Sequence, residues 1–206
     1  MNNIVSSAPL LPVMESFYTI QGEGINAGRA AYFIRLAGCD VGCVWCDVKD
    51  SWDASAHAKK SIESLVAEAK SFPAKLIVIT GGEPLMYDLF PLTNLLRKEG
   101  FEIALETSGA YPLTGVWDWI CVSPKKFKNP IEEVIAKANE LKVVIYHKKD
   151  LEWMQSLTAF TNENCALLLQ PEYSKFESIV PEIVQYVKGN PRYRISLQTH
   201  KVIHVP

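Results

Sequence analysis

Three cysteines lie close together in the sequence, at Cys39, Cys43 and Cys46, and two more stand alone at Cys121 and Cys165. Three thiolates on one short loop can bind three irons of a [4Fe-4S] cluster and leave the fourth iron for another ligand. The alternative is zinc, which usually takes four protein ligands, so an isolated cysteine or a histidine would have to join the loop. Because Cys121 falls in a predicted strand and Cys165 lies directly before another, the ligand count favours iron–sulfur over zinc by roughly five to one.

A glycine-rich segment, Gly81-Gly82-Glu83-Pro84, is a second candidate for chemistry. Two consecutive glycines allow a close approach of the backbone, and the Glu83 carboxylate can accept hydrogen bonds from an ammonium group. Alone, the segment is also compatible with a type II turn before a helix. In a chain that also carries the three-cysteine loop, we interpret it as part of a ligand site.

Short apolar runs alternate with helix-like periodicity along the chain. The predicted strands are Ala31–Leu36, Leu76–Thr80, Phe101–Glu106, Trp119–Val122, Leu141–Tyr146, Ala166–Gln170 and Tyr193–Leu197. The predicted helices are Ser61–Ser71, Tyr87–Glu99, Ile131–Glu140, Lys149–Phe160 and Ser174–Lys188, the last with a kink or a break at Pro181. Because several strands are continuously apolar, they are typical of a parallel sheet that is buried on both faces.

This alternation predicts an α/β fold, specifically an incomplete TIM-like barrel of six or seven mainly parallel strands with outer helices. A closed eight-stranded barrel normally needs ~250 residues, and this chain has 206. A doubly wound sheet also fits the pattern. We expect a single domain over residues 1–206, with residues 1–12 as a flexible lead.

Polar and glycine-rich segments follow six of the predicted strands. They are Gly38–Asp47, Thr80–Pro84, Glu106–Gly109, Ser123–Lys125, Gln170–Glu172 and Gln198–Lys201. In parallel α/β folds the carboxyl ends of the strands carry the active site. We therefore expect these segments to meet at one rim.

The cysteine loop, Cys39-x3-Cys43-x-Trp45-Cys46, resembles the signature of the radical S-adenosylmethionine (radical SAM) enzymes. The stretch Glu15–Gly24, ESFYTIQGEG, resembles the opening of the 7-carboxy-7-deazaguanine synthases, the radical SAM enzymes of queuosine and 7-deazapurine biosynthesis. Arg35 in FIRLAGC, the segments ETSG and SPK, and the ending SLQTHKVIHVP agree with the same family. The resemblance therefore covers nearly the whole chain.

The resemblance implies a carbon–nitrogen lyase that converts 6-carboxy-5,6,7,8-tetrahydropterin to 7-carboxy-7-deazaguanine with release of ammonia. Its implied cofactors are a [4Fe-4S] cluster and SAM. One electron from the cluster cleaves SAM to a 5′-deoxyadenosyl radical, which takes hydrogen from C6 of the pterin. In this family the hydrogen returns after ring contraction, so SAM is recycled.

The same resemblance assigns Cys39, Cys43 and Cys46 as catalytic cluster ligands and places Trp45 against the adenine of SAM. The other residues expected to bind SAM are Asp47, Gly81, Gly82, Glu83, Thr107, Ser108, Ser123 and Lys125.

For the pterin, Gln21 and Glu23 suit the amide-like edge, because a carboxylate can accept two N–H bonds. Arg35 suits the substrate carboxylate through a bidentate fork. Taken singly, Arg35 could equally form a structural ion pair and Gln21 could be a turn residue; agreement with the family favours function. Further substrate candidates are Thr80, Gln170 and His200 on the rim, and the carboxylate of Pro206.

One position departs from the family, whose members often carry Thr or Ser as a Mg²⁺ ligand two residues after the last cysteine. Here that residue is Val48, followed by Lys49. We predict weak or no dependence on Mg²⁺, with an ammonium group such as that of Lys49 in its place. Asp47 and Asp50 leave a partly occupied metal site open.

Composition excludes several classes of protein. With 21 Lys+Arg and 23 Asp+Glu the net charge is −2, which argues against nucleic-acid binding through counterion release. No apolar run approaches the ~18 residues of a membrane span, and the first residues lack the basic character of a secretion signal. We expect a cytoplasmic location.

The implied partners are a flavodoxin- or ferredoxin-type reductant and a second copy of the chain. A homodimer would cover the sheet edges that an incomplete barrel leaves unpaired.

Three alternative functions follow from the same residues. A glycyl-radical activase carries the same cysteine loop but acts on a protein, and the QGEG opening and the C-terminal QTHK segment disfavour it. A zinc-stabilised binding module would contain zinc without iron or sulfide. A simple iron–sulfur electron carrier has no use for the GGEP segment.

Overall fold

The computed structural model describes residues 9–206, and one mixed sheet runs through them. Its strands are β1 (Leu10–Ile20), β2 (Ala30–Leu36), β3 (Lys59–Ser61), β4 (Leu76–Gly81), β5 (Glu102–Thr107), β6 (Trp119–Val122), β7 (Glu140–Ile145), β8 (Ala166–Pro171) and β9 (Tyr193–Ile195). Their order in the sheet is β3-β1-β2-β4-β5-β6-β7-β8-β9. From β2 to β9 neighbouring strands are parallel, whereas β1 is antiparallel to both β2 and β3. The predicted incomplete TIM-like barrel is confirmed.

The seven predicted strands are the parallel strands of this sheet, and their ends differ from the prediction by at most two residues. Leu76, Ile77, Val78 and Ile79 of β4 show why the pattern was informative, because each is buried. A central parallel strand is covered on both faces and therefore has no polar row.

The sequence pattern does not predict β1 or β3. β1 contains Pro12, which disfavours a strand assignment, and its polar residues Glu15 and Ser16 interrupt the apolar pattern. β3 is only three residues long. Residues 10–12 of the expected N-terminal lead belong to β1, and residues 1–8 lie outside the described part of the chain.

The helices are α1 (Ile62–Lys70), α2 (Phe90–Lys98), α3 (Glu132–Ala136), α4 (Asp150–Thr158), α5 (Phe176–Gly189) and α6 (Thr199–Ile203). α5 continues through Pro181 as one helix, and α6 is an addition to the predicted set. The predicted helix to Glu140 is wrong beyond α3, because the Asn139 side chain accepts a hydrogen bond from the Ile120 N–H and β7 begins at Glu140. None of the helices in the described range combines the length and the apolar character needed to cross a membrane.

Two apolar clusters lie on opposite faces of the sheet. The larger one packs α1 to α5 against the outer face, through residues such as Leu65, Leu92 and Ile183. The smaller one lies on the inner face and consists of Ala31, Phe33, Leu76, Val78 and Ala104, with Phe17 and Trp119 packed against it. The outer cluster holds the helices on the sheet, and the inner cluster fills one end of the barrel.

Polar residues replace the inner cluster toward the carboxyl ends of the strands. Along β2 the inward row continues from Phe33 to Arg35, and along β4 it continues from Val78 to Thr80, which pairs in register with Arg35. Side chains two residues apart on a strand share a face. The barrel interior is therefore apolar at one end and polar at the other.

Candidate active site

A cavity of about 310 Å³ lies at the polar end of the barrel. It is lined by part of every segment that the sequence predicts on the rim. The predicted site residues that line it are Gln21, Glu23, Arg35, Cys39, Cys43, Trp45, Cys46, Asp47, Val48, Thr80, Gly81, Gly82, Thr107, Ser108, Ser123, Lys125, Gln170, His200 and Pro206. Glu83 and Lys49 are the predicted site residues that do not line it.

The cysteine loop follows β2 and is anchored by its backbone. The N–H of Gly38 donates to the Ser51 carbonyl at 2.7 Å, and the N–H of Cys39 donates to the Trp52 carbonyl at 3.2 Å. Within the loop, the Cys46 N–H donates to the Cys43 carbonyl at 3.1 Å. These bonds keep the three thiols on one wall of the cavity.

These cysteines fit the donor set of a [4Fe-4S] cluster with one open iron. All three thiols are free, and burial raises the pKa of Cys39 and Cys43, so iron would displace a proton from each. Cys121 and Cys165, either of which could complete a four-ligand zinc site, do not line the cavity, and the histidine that does line it, His200, packs on Gly22. The observed ligand set therefore favours iron–sulfur.

The glycine-rich segment packs directly on the cysteine loop. The Gly82 N–H donates to the Leu36 carbonyl at 3.0 Å, and a Cβ on Gly82 would lie 2.3 Å from the Gly38 oxygen and 2.7 Å from Cys39 Cβ. Only glycine fits between these backbones. The motif therefore shapes the cavity wall as well as lining it.

The Glu83 carboxylate, which the resemblance assigns to SAM binding, is buried behind the cavity wall. One oxygen accepts hydrogen bonds from the Leu85 N–H (3.0 Å) and the Thr107 hydroxyl. The other accepts from the N–H (2.8 Å) and the hydroxyl of Ser108. The buried carboxylate thus joins the loop after β4 to the end of β5, and the cavity is lined by Thr107 and Ser108 instead.

Lys125 and Ser123 form a polar pair after β6. The Lys125 ammonium donates to the Ser123 hydroxyl at 2.7 Å, and burial lowers the pKa of Lys125. Lys125 is half-buried and lines the cavity, so it is not a solvated surface residue.

The QGEG segment after β1 forms the opposite wall and is fixed by the C-terminal segment. The Thr199 N–H and hydroxyl both donate to the Gly22 carbonyl, at 2.8 and 2.9 Å. A Cβ on Gly22 would lie 2.2 Å from His200 Nδ1, so the histidine ring packs directly on this glycine. Burial lowers the pKa of His200, which favours the neutral imidazole at pH 7.

A buried ionic network connects the QGEG segment to the sheet. The Lys142 ammonium, on β7, lies 2.8 Å from a Glu23 carboxylate oxygen and 2.9 Å from a Glu106 oxygen. Burial would raise the pKa of Glu23, but Lys142 and neighbouring amides lower it to about 2. Burial raises the pKa of Glu106.

Lys142 keeps its proton for a related reason. Burial acts to lower the pKa of this lysine, but the acidic groups of Cys121, Glu106, Glu23 and Glu140 raise it well above its ordinary value. Glu106, Cys121 and Glu140 place one polar atom each within 4.8 Å of one another. Lys142 supplies the positive charge of this cluster.

The remaining substrate candidates surround the same space. Arg35 donates through Nε to Glu15 at 2.7 Å, so the ion pair considered from sequence exists alongside its place on the cavity wall. Gln170 is buried and its side-chain oxygen accepts from the Ser196 hydroxyl at 2.9 Å. The Pro206 carbonyl oxygen accepts a hydrogen bond from the Thr19 hydroxyl at 3.3 Å.

The positions after Cys46 are arranged differently from the sequence prediction. Val48 lines the cavity, but Lys49 is exposed and its ammonium lies 5.9 Å from the ring centroid of Trp52. The ammonium that lines the cavity near this point belongs to Lys201, which lies 3.3 Å from an Asp47 oxygen. The lysine that brings an ammonium group to the cavity beside Asp47 is therefore Lys201 of α6 and not Lys49.

Sequence reasoning gave no role to three charged residues that line the cavity, Glu106, Lys142 and Lys201. Lys142 had a usable signal, because it is a charged residue inside the predicted apolar strand Leu141–Tyr146, and lysine is almost never fully buried unless it is paired. Glu106 and Lys201 were placed on the rim within the segments Glu106–Gly109 and Gln198–Lys201, but neither was given a role.

Comparisons with known proteins agree with this geometry. A model described as the radical SAM superfamily matches residues 33–145. Three proteins named 7-carboxy-7-deazaguanine synthase are similar along nearly the whole chain. That of Flavobacterium psychrophilum is 52% identical, covering 98% of this chain and 96% of its own. That of Synechocystis sp. is 44% identical, and the match covers 94% of this chain and 93% of that protein. That of Escherichia coli K12 is 35% identical, and the match covers 94% of this chain and 98% of that protein.

A solved structure gives the same result for the fold. The crystal structure of QueE from Escherichia coli matches with a TM-score of 0.80 at 34% sequence identity. The match covers 92% of this chain and 94% of that one.

Proposed function

The chain belongs to the 7-carboxy-7-deazaguanine synthase family of the radical SAM superfamily, and we propose that its cavity converts 6-carboxy-5,6,7,8-tetrahydropterin to 7-carboxy-7-deazaguanine with release of ammonia. One observation carries the proposal: the three free cysteines line the same cavity as the carboxylates of Glu23 and Glu106, the amide of Gln21 and the guanidinium of Arg35. That set serves a radical cofactor and a substrate with an amide-like edge and a carboxylate.

Cys39, Cys43 and Cys46 would hold the [4Fe-4S] cluster. When bound, the cluster and SAM supply the 5′-deoxyadenosyl radical that takes a hydrogen atom from the substrate. Gly81 and Gly82 let the strand end lie against the cysteine loop without a side chain between them. Thr107, Ser108, Ser123 and Lys125 offer the polar contacts for SAM beyond it.

The other wall would hold the pterin. Glu23 and Gln21 offer acceptors to its amide-like edge, and the Arg35 guanidinium offers paired donors to its carboxylate. The neutral ring of His200 can accept or donate one hydrogen bond. The segment from Thr199 is hydrogen-bonded to this wall and would limit the access of water to the reacting atoms.

Mg²⁺ is not required in this proposal. Val48 has no side-chain oxygen to offer a metal, and Lys201 brings an ammonium to the same wall. We expect the turnover rate, measured after divalent cations have been removed with a chelator, to be nearly the same with and without added Mg²⁺. A strong activation by Mg²⁺ would overturn this part of the proposal.

The reductant would be an acidic flavodoxin- or ferredoxin-type protein that meets the outer side of the cysteine loop. Val44 and Phe127 are 66% and 44% exposed there, and the Trp45 ring packs 5.0 Å from Phe127 and 5.5 Å from Tyr146. Lys175 lies 5.4 Å from the centroid of Tyr146, and exposed Lys126 adjoins Phe127. Apolar contact ringed by positive charge suits an acidic carrier, so turnover should fall as ionic strength rises.

A homodimer and a cytoplasmic location complete the proposal. The sheet ends in β3 and β9, each three residues long, so we expect side-chain contacts rather than strand pairing at the interface. Light scattering tests the dimer. A reducing compartment is expected because the cysteines must stay as thiols until iron binds.

The test is anaerobic turnover of the iron- and sulfide-reconstituted protein with SAM, a reductant and the pterin, with products identified by mass spectrometry. We expect 7-carboxy-7-deazaguanine and ammonia, and neither from Cys43→Ala. Cleavage of SAM without 7-carboxy-7-deazaguanine would discard the substrate, and absence of iron and cleavage would discard the radical chemistry.

A further inference from the structure

Lys142 is a lysine in the interior of the barrel with 3% of its side chain exposed. Its ammonium bridges two carboxylates from different parts of the chain, Glu23 after β1 and Glu106 at the end of β5. Both carboxylates line the cavity, and so does Lys142. The bridge therefore stands at the wall that faces a bound substrate.

The second oxygen of each carboxylate is also held. Gln198 Nε2 donates to Glu23 Oε1 at 2.7 Å, and Gln21 Nε2 donates to Glu106 Oε1 at 3.3 Å. Each carboxylate oxygen has further lone pairs available for a ligand. Amide and ammonium together fix the direction in which those lone pairs point.

Glu140 is a third carboxylate in this cluster, and it contacts the backbone next to Glu23. It accepts a hydrogen bond from the Ile25 N–H at 2.9 Å and therefore fixes the backbone that follows Glu23. Three carboxylates, Glu23, Glu106 and Glu140, therefore surround the single ammonium group of Lys142, and their oxygens offer more acceptor sites than this ammonium can fill. Such a wall suits a ligand edge that donates several N–H bonds and repels an edge that presents carbonyl oxygens.

Burying a lysine for stability alone is a poor solution, because a desolvated ion pair is often no better than an apolar pair of the same volume. In contrast, holding the Glu23 and Glu106 carboxylates side by side requires the positive charge of Lys142. A methionine at this site would leave two buried carboxylates next to each other, and they would separate or take up a proton.

We propose that Lys142 is a positioning residue that holds Glu23 and Glu106 as a pair of acceptors for the guanidine-like edge of the pterin. It thereby selects pterins that carry a 2-amino group over analogues in which oxygen replaces that group. This inference rests on the proposed function.

The experiment compares Lys142→Met, Lys142→Arg and a control, Lys148→Met, in the reconstituted protein. Lys148 is a suitable control because its side chain is 70% exposed and it pairs with Glu182 at the surface. Equilibrium binding of the pterin is measured with SAM present and reductant absent, and SAM binding is measured separately. Steady-state kcat and KM follow.

We expect Lys142→Met to weaken pterin binding and raise its KM by about 10- to 100-fold. SAM binding should stay within about twofold, and the preference for the 2-amino pterin over its 2-oxo analogue should shrink. Lys142→Arg should recover part of the affinity, and Lys148→Met should match the unchanged protein. Normal pterin affinity and selectivity in Lys142→Met would overturn the proposal.

A double variant, Lys142→Met with Glu106→Gln, separates positioning from folding. It removes Lys142 together with one of the two carboxylates that it bridges, so it should recover part of the folding stability lost in Lys142→Met without recovering pterin affinity. Recovery of both would mean that Lys142 only neutralises Glu106, and the proposal would fail. If Lys142→Met does not fold, Lys142→Arg and the double variant carry the test. An unchanged protein that binds SAM but no pterin would instead refute the proposed function.

Discussion

At the scale of single residues, the Glu83 carboxylate joins two strand ends through four hydrogen bonds from Leu85, Thr107 and Ser108. Glu83→Gln would turn an amide N–H toward donors that now face an oxygen. We expect a loss of about 1–3 kcal/mol in the free energy of unfolding, measured by urea denaturation. Glu63→Gln, exposed in the first turn of α1, is the control, and equal stability of the two variants would contradict this account.

Gly82 gives a second prediction at this scale. A methyl group there would overlap Gly38 and Cys39, so Gly82→Ala should displace the cysteine loop. We expect the iron and sulfide content after reconstitution to fall by at least about half. Gly189→Ala serves as the control because a Cβ there would meet nothing within 4 Å. Full cluster content in Gly82→Ala would show that the loop adapts.

The sequence reveals some of these residues more readily than others. Cys39, Cys43 and Cys46 can be recognised from the sequence because they lie close together in it. Lys142 and Glu106 are far apart in the chain, and their contact depends on β5 and β7 both facing the barrel interior. Sequence alone assigned Glu83 to SAM binding. It could not show that Thr107 and Ser108 donate to the Glu83 carboxylate, because these two residues follow in a different part of the chain.

At the scale of elements, the site depends on contact between the loop after β1 and the segment of α6. Gly22 lies under His200, so Gly22→Ala should push α6 away from the barrel. We expect faster amide exchange over residues 199–206 and a KM for the pterin raised by about tenfold or more. Gly189→Ala is again the control. Unchanged exchange in Gly22→Ala would contradict this description of the wall.

The elements also differ in how far local pattern specifies them. The parallel strands are predictable because each is an apolar run buried on both faces. β1 is not, since its alternation is broken by Pro12 and its stability comes from pairing with β2 over Glu15–Ile20. α6 is only five residues long and is held by contacts to Gly22 rather than by its own periodicity.

At the scale of the whole molecule, the buried network of Glu23, Glu106 and Lys142 makes the free energy of unfolding depend on pH. The Glu23 pKa is about 2 in the folded chain against an ordinary value of 4.5. A carboxyl with a lowered folded pKa stabilises the fold above pH 4.5, and this contribution is lost as the pH falls toward 2. We expect the stability difference between the unchanged protein and Glu23→Gln to reach about 3 kcal/mol at neutral pH and to shrink across that interval.

The comparison with Glu23→Gln matters because Glu106 acts in the opposite direction, burial having raised its pKa. Urea denaturation at several pH values measures both proteins, with Glu63→Gln as a control for exposed carboxyls. A difference that stays constant from pH 7 to pH 2 would show that Lys142 does not hold Glu23 as an ion.

The barrel brings the cysteine loop, the glycine segment and the acidic wall together around one cavity, and we propose that this arrangement orients SAM and pterin. An anaerobic crystal structure of the reconstituted protein with both bound tests it most directly. It should show a cluster on Cys39, Cys43 and Cys46, the amide-like edge of the pterin against Glu23 and Glu106, and its carboxylate at Arg35. A pterin bound with the opposite orientation, or outside this cavity, would contradict the account.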